Sequence, residues 1–145
     1  MIYHFAYGSN LKLEQMKKRC PESRKVGSSV LYGYKLLFRK HDNCSDGRLT
    51  IEKEKDKTIP IGIFEMPENN KISLDSREGV HNNCYKVEWL ECDFNGSTIK
   101  GFAYIMENPK KAKPTQEYID KAKRGYKDFG FDECYLEEAL KECEE

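Results

Sequence analysis

The sequence has no run of about 18 apolar residues, so none of its helices is long and apolar enough to cross a bilayer. It also lacks an excess of charge of either sign. Lys+Arg and Asp+Glu both number 25, which argues against the basic footprint of a nucleic-acid binder. There is no C-x-x-C pair, and none of the six cysteines (Cys20, Cys44, Cys84, Cys92, Cys134 and Cys143) stands at His-ligand spacing. No metal site and no cofactor are therefore expected. The phosphate loop G-x-x-x-x-G-K-[ST] is absent, and the single glycine of the first turn is too few for a dinucleotide fingerprint. The opening residues lack a basic segment followed by an apolar one, so no signal peptide is read there. A cytoplasmic location is expected, where thiols stay reduced and the cysteines are structural.

What is present is one ordinary domain's worth of chain, 145 residues, 34% charged and 12% aromatic. That is enough to bury one core and too little for two good ones, so residues 1–145 are expected to form a single domain. Strand signals come first. Ile2–Tyr7 is β-prone; Ser28–Lys40 reads as a strand pair or one long strand bent at Gly33; Leu49–Glu52 and Ile59–Met66 read as separate strands, with Pro60 favouring an edge or a strand start. Between them, residues 41–47 read as a polar loop. Pro67–Lys71 reads as a turn and Ile72–Gly79 as a short helix closed by its glycine. Tyr85–Phe94 and Thr98–Met106 flank Asn95-Gly96, the strongest hairpin signal in the chain. Helices dominate the end: Thr115 is a good N-cap, Tyr118, Ile119, Ala122 and Tyr126 share one helical face, and Asp132 caps a final helix. Lys110–Lys113 reads as a solvated loop. Strands followed by helices make this an α+β chain.

Two segments carry candidate chemistry. Tyr7-Gly8-Ser9-Asn10 follows a strand and precedes the helical pattern Leu11–Arg19, with Ser9 or Asn10 as its cap. Glycine admits close backbone approach, and a helix start offers unpaired N–H groups to a carboxylate or oxyanion. An ordinary strand–turn–helix with an Asn cap has the same sequence. The second segment is Leu74-Asp75-Ser76-Arg77-Glu78-Gly79-Val80. A carboxylate at a helix C-terminus meets the negative dipole end, which pushes its pKa upward and suits it to general acid/base work. A solvated Glu78 paired with Arg77 or Lys86 reads equally well from this segment alone. His4 and His41 read as structural or exposed.

Together, Phe5-Ala6-Tyr7-Gly8-Ser9-Asn10-Leu11 and Leu74-Asp75-x-x-Glu78-Gly79-Val80 resemble the γ-glutamylcyclotransferase (AIG2-like) family. Gly33–Phe38, Ile61–Met66 and Pro114–Tyr118 fit the same pattern, so the resemblance spans nearly the whole chain. It implies a small, mostly antiparallel β-barrel with flanking helices and a cavity at one end. It implies an enzyme that closes a γ-glutamyl group into 5-oxoproline, with Glu78 as general acid/base and the Tyr7-Gly8-Ser9-Asn10 loop holding the γ-glutamyl moiety. Tyr85 and Tyr118 match hydroxyls that line the pocket. The partner implied is a small γ-glutamyl compound of the kind met in glutathione metabolism, not a nucleic acid or a membrane. The oligomeric state stays open, a homodimer included. Asn83-Cys84 stands where the human-type enzyme has Gly-Met, which leaves the departing amine undefined. The alternatives are a γ-glutamylamine cyclotransferase of the same fold and a non-catalytic small-molecule binding module. Cys84 with His81 is a minor nucleophile–base candidate.

Overall fold

Six strands and four helices account for most of the chain. A computed structural model describes residues 1–41 and 46–145; Cys44 and the middle of the expected 41–47 loop lie outside the described residues. The strands are β1 (Ile2–Ala6), β2 (Arg24–Lys40), β3 (Arg48–Met66), β4 (Tyr85–Phe94), β5 (Ser97–Met106) and β6 (Lys110–Lys111). The helices are α1 (Leu13–Arg19), α2 (Glu68–Arg77), α3 (Gln116–Phe129) and α4 (Cys134–Glu144). The sheet order is β4-β5-β1-β3-β2-β6. Only the β1–β5 pairing is parallel; the rest are antiparallel.

The sheet curls strongly. Ser29 Oγ on β2 donates to the Asp93 carbonyl at the far end of β4, and Gly27 packs under the Phe94 ring. The result is a half-barrel in which Phe5 is buried on one face of the sheet and Phe64 and Phe102 on the other, Phe64 against Phe129 of α3, with Tyr126 of α3 also fully buried. β1 is the short central strand. It delivers the chain directly to Tyr7 at the open end of the curl.

Several boundaries differ from the sequence reading, each for a physical reason. β3 is one strand and not two. Its charged stretch bulges within the strand: Tyr32 opposes Thr58 but Tyr34 opposes Lys53, so residues 54–57 stand opposite Gly33 alone, and Asp56 turns left-handed at φ +68°. Pro60 sits mid-strand opposite Val30, yet β1 reaches only to Gly62, so β3 has one neighbour there and its missing N–H costs no bond on the open side. The expected turn at Pro67–Lys71 is helix: α2 starts at Glu68, directly after Pro67. Lys110 and Lys111 are not wholly loop, since they pair with Lys40 and Arg39 of β2. Thr115 caps α3 as expected, its Oγ1 accepting from Tyr118 N at 3.2 Å. Asp132 accepts from Cys134 N at 2.8 Å, although the capping position itself is Glu133.

The Tyr7–Asn10 segment does not open a regular helix. Ser9–Leu11 is a single 3-10 turn, and α1 begins only at Leu13 behind Lys12. Neither Ser9 nor Asn10 caps through its side chain. Packing explains the tightness: α3 lies so close that a Cβ on Gly125 would fall 2.6 Å from Leu11 Cβ and 2.9 Å from the Lys12 nitrogen. The turn is pinned between β1 and α3.

Candidate active site

A cavity of about 220 Å³ opens at the end of β1. All seven residues singled out from the sequence line it: Tyr7, Gly8, Ser9, Asn10, Glu78, Tyr85 and Tyr118. Five further residues contribute chemistry that the sequence did not announce: His4, Arg19, Arg48, Arg77 and Tyr104.

Glu78 is placed by helix termination. α2 ends at Arg77; the Glu78 N–H still bonds back to Leu74 O at 3.0 Å, and Gly79 then turns left-handed at φ +69°. The carboxylate is thereby turned inward, with 16% of its side chain exposed. Its partners are neither Arg77 nor Lys86. Asn10 Nδ2 donates to Oε1 at 3.1 Å, and Arg19 Nη1 stands 3.7 Å from the same oxygen. Oε2 has no hydrogen-bond partner among the described residues. Burial raises the Glu78 pKa above the usual carboxylate value, while Arg19, Asn10 and Arg48 pull it down. The direction matches the sequence reading. The dominant cause, desolvation, is not the helix dipole invoked there.

Asn10 is buried and spends its whole amide on this network. Besides donating to Glu78, it accepts from Arg19 Nη1 through Oδ1 at 2.9 Å. Its Nδ2 also lies 3.4 Å from His4 Nε2. His4 is wholly buried rather than exposed, and its Nδ1 is 2.9 Å from the Phe102 carbonyl. That carbonyl can only accept, so Nδ1 carries the proton and Nε2 is the acceptor facing Asn10. Burial lowers the His4 pKa to about 4, so the ring is neutral at physiological pH. His4 orients Asn10, and Asn10 and Arg19 hold Glu78 through Oε1.

The tyrosines frame the opposite wall. Tyr118, in the first turn of α3, accepts the Leu49 N–H at 3.0 Å, and Tyr85 donates to the Leu49 carbonyl at 3.3 Å. Both hydroxyls thus grip the backbone of one residue. Burial pushes the Tyr118 pKa up to about 12 and raises that of Tyr85 well above its usual value, so both remain protonated. Tyr7 donates to the Tyr104 carbonyl. Tyr104 in turn donates to Asp75 Oδ1 at 2.5 Å, and Lys71 holds Asp75 at 2.7 Å. Asp75, three residues before Glu78, therefore ties α2 to β5.

Cys84 lines the cavity as well, while His81 is exposed and outside the lining. Among the described residues, no group of three or more His, Cys, Asp or Glu side chains is arranged to hold a metal ion. What the geometry offers is a half-buried carboxylate with a raised pKa, facing a turn whose first N–H groups have no intrahelical partner.

Known proteins resemble this chain in sequence and in fold. The model of the AIG2-like family matches residues 61–138. Human γ-glutamylcyclotransferase is 30% identical over 140 residues, covering 92% of this chain and 74% of the human one. The mouse enzyme is 29% identical over the same span, with the same coverage. A solved γ-glutamyl cyclotransferase superimposes with a TM-score of 0.87 at 27% identity, over 95% of this chain and 85% of the other. The shared α+β half-barrel, the family-model match and these relatives establish that the chain belongs to the AIG2-like, γ-glutamylcyclotransferase family.

Proposed function

We propose that the protein is a γ-glutamylcyclotransferase, converting a γ-glutamyl amide into 5-oxoproline and a free amine. The observation that carries this reading is that Glu78 and the Tyr7–Asn10 turn, far apart in sequence, line the same cavity. An ion-paired Glu78 behind a blocked cavity would favour a binding module. Glu78 is ion-paired with Arg19, but the cavity is open and Glu78 Oε2 has no hydrogen-bond partner among the described residues.

The substrate supplies its own nucleophile. Glu78, ionised, takes one proton from the α-ammonium. The freed lone pair attacks the γ-carbonyl, a bond forms between the α-nitrogen and the γ-carbon, and the carbonyl oxygen becomes an oxyanion. Backbone N–H groups of the Gly8–Asn10 turn are suited to hold that oxyanion or the α-carboxylate. The attacking nitrogen loses its second proton to water. Glu78 returns its proton to the amide nitrogen as the original C–N bond breaks, and the released amine takes another proton from water. There are four proton transfers, and no proton is gained or lost overall. Folding the glutamyl chain so that its two ends meet is worth about 7–11 kcal/mol when geometry is ideal. The rigid turn, the Leu49 wall and the Tyr118 and Tyr85 hydroxyls suit that task.

The test is direct. The purified chain is incubated with γ-glutamyl dipeptides and 5-oxoproline is measured by chromatography. Release by the wild-type chain and its near loss in Glu78→Gln are expected. Absence of 5-oxoproline from every γ-glutamyl compound tried would rule the reading out.

A further inference from the structure

Four of the chain's six arginines have a carboxylate partner: Arg19 with Glu78, Arg24 with Glu65, Arg39 with Glu142 and Arg124 with Asp128. The other two, Arg48 and Arg77, have none among the described residues, and both line the active-site cavity. They come from different elements. Arg48 opens β3, with its guanidinium carbon 5.5 Å from the centre of the Tyr118 ring, and Arg77 closes α2. Both are exposed, so they stand at the mouth and not on the floor. Glu78 Oε1 is met by Arg19 and Asn10, and neither Arg48 nor Arg77 forms an ion pair with Glu78 among the described residues.

Resting on the cyclotransferase reading, we infer that Arg48 and Arg77 form the leaving-group subsite and select γ-glutamyl dipeptides whose departing amino acid is itself acidic. The cyclising glutamyl end must reach Glu78, which is far less exposed than either arginine in the lining of this cavity of about 220 Å³. The departing residue is therefore left at the mouth, between the two guanidiniums. An alkylamine leaving group brings no negative charge there. A neutral amino acid brings one carboxylate, and an acidic one brings two, matching the two cations. Guanidinium forks suit carboxylates because they can donate two parallel hydrogen bonds.

The experiment measures kcat/KM for 5-oxoproline release from γ-glutamyl-glutamate, the near-isosteric γ-glutamyl-glutamine and γ-glutamyl-ethylamide. The wild-type chain and the Arg48→Gln/Arg77→Gln double variant are compared. The expected order is glutamate, glutamine, ethylamide, with a glutamate-to-glutamine ratio of about 1.5-fold to fivefold for the one additional exposed charge pair. That ratio shrinks toward one in the double variant. It also shrinks in wild type as salt rises from about 0.1 M to about 1 M, because screening shortens from about 10 Å to about 3 Å. Each ratio is read within one enzyme, so partial loss of folded protein cancels. A wild-type ratio of one or below, or a ratio unchanged in the double variant, overturns the inference while leaving the cyclotransferase reading intact. Release from none of the three removes both.

Discussion

Asn10 and Glu78, 68 residues apart, are joined by a 3.1 Å hydrogen bond that determines which carboxylate oxygen is committed to the protein. Asn10 Nδ2 and Arg19 Nη1 both face Oε1. The carboxylate is thus held at one corner and open at the other, as a group that must receive and return a proton requires.

Glu78→Gln keeps the shape of the side chain and removes its basicity. Turnover on a γ-glutamyl dipeptide should fall by about 10²–10⁴-fold, the usual contribution of a positioned acid/base. The fold should survive, because Gln can still accept from Asn10. Steady-state kinetics with circular dichroism on the same sample separates the two effects. Ordinary turnover in a well-folded variant would remove Glu78 from the chemistry.

Arg19 acts through Glu78, and its effect has a definite sign. Glu78 must be ionised to accept a proton, so kcat/KM falls as pH drops through its pKa. Burial places that limb above the ordinary value of 4.5, and the Arg19 charge holds it down. Arg19→Gln should therefore shift the acidic limb to higher pH, and Arg19→Lys, which keeps the charge, should largely restore it. A pH–rate profile for the three proteins checks this; a limb that does not move would make Arg19 a purely structural partner.

The strand-rich start and helix-rich end were legible because Ile2–Ala6, Tyr85–Phe94 and Thr98–Met106 carry local signals that tertiary packing did not override. β3 was not legible as one strand: the charged residues Lys53–Lys57 look like a hairpin exit, and nothing in the local sequence says that β2 runs alongside them. Glu78 was found through the pairing of two motifs, and its raised pKa was expected, but from the wrong source. Burial depends on Arg19, Asn10 and His4 converging from elsewhere in the chain, which no spacing encodes. His4 shows the limit most clearly. One histidine in a β-prone run reads as structural or exposed, and its bond to Asn10 exists only because the turn after β1 folds back over it.

Gly79 determines where Glu78 points. Its φ of +69° disfavours any side chain, and a Cβ there would sit 3.1 Å from Cys84 Cβ. Gly96 has a similar φ of +79° with nothing within 4 Å. Gly96→Ala should therefore cost only the left-handed strain, about 1–2 kcal/mol, and Gly79→Ala more, because Cys84 must also yield. Urea unfolding of the two variants gives the comparison. Gly79→Ala should additionally lower kcat, since displacing Glu78 by about 1 Å is worth roughly 10²-fold; Gly96→Ala should not.

Tyr118 and Tyr85 hold opposite ends of the same peptide residue, and removing their hydroxyls should not cost the same. Tyr118→Phe takes away the acceptor of the Leu49 N–H and leaves a donor unsatisfied beside a buried wall, a loss of about 1–3 kcal/mol. Tyr85→Phe removes a donor to the Leu49 carbonyl at the longer distance of 3.3 Å. An under-satisfied carbonyl is better tolerated than an orphaned N–H, so the cost there should be nearer about 0.5–1.5 kcal/mol. Denaturant midpoints at constant m-value test the order. If Tyr85→Phe proves the more damaging, the Leu49 backbone is held chiefly through its carbonyl, and the wall opposite Glu78 is supported from β4 and not from α3.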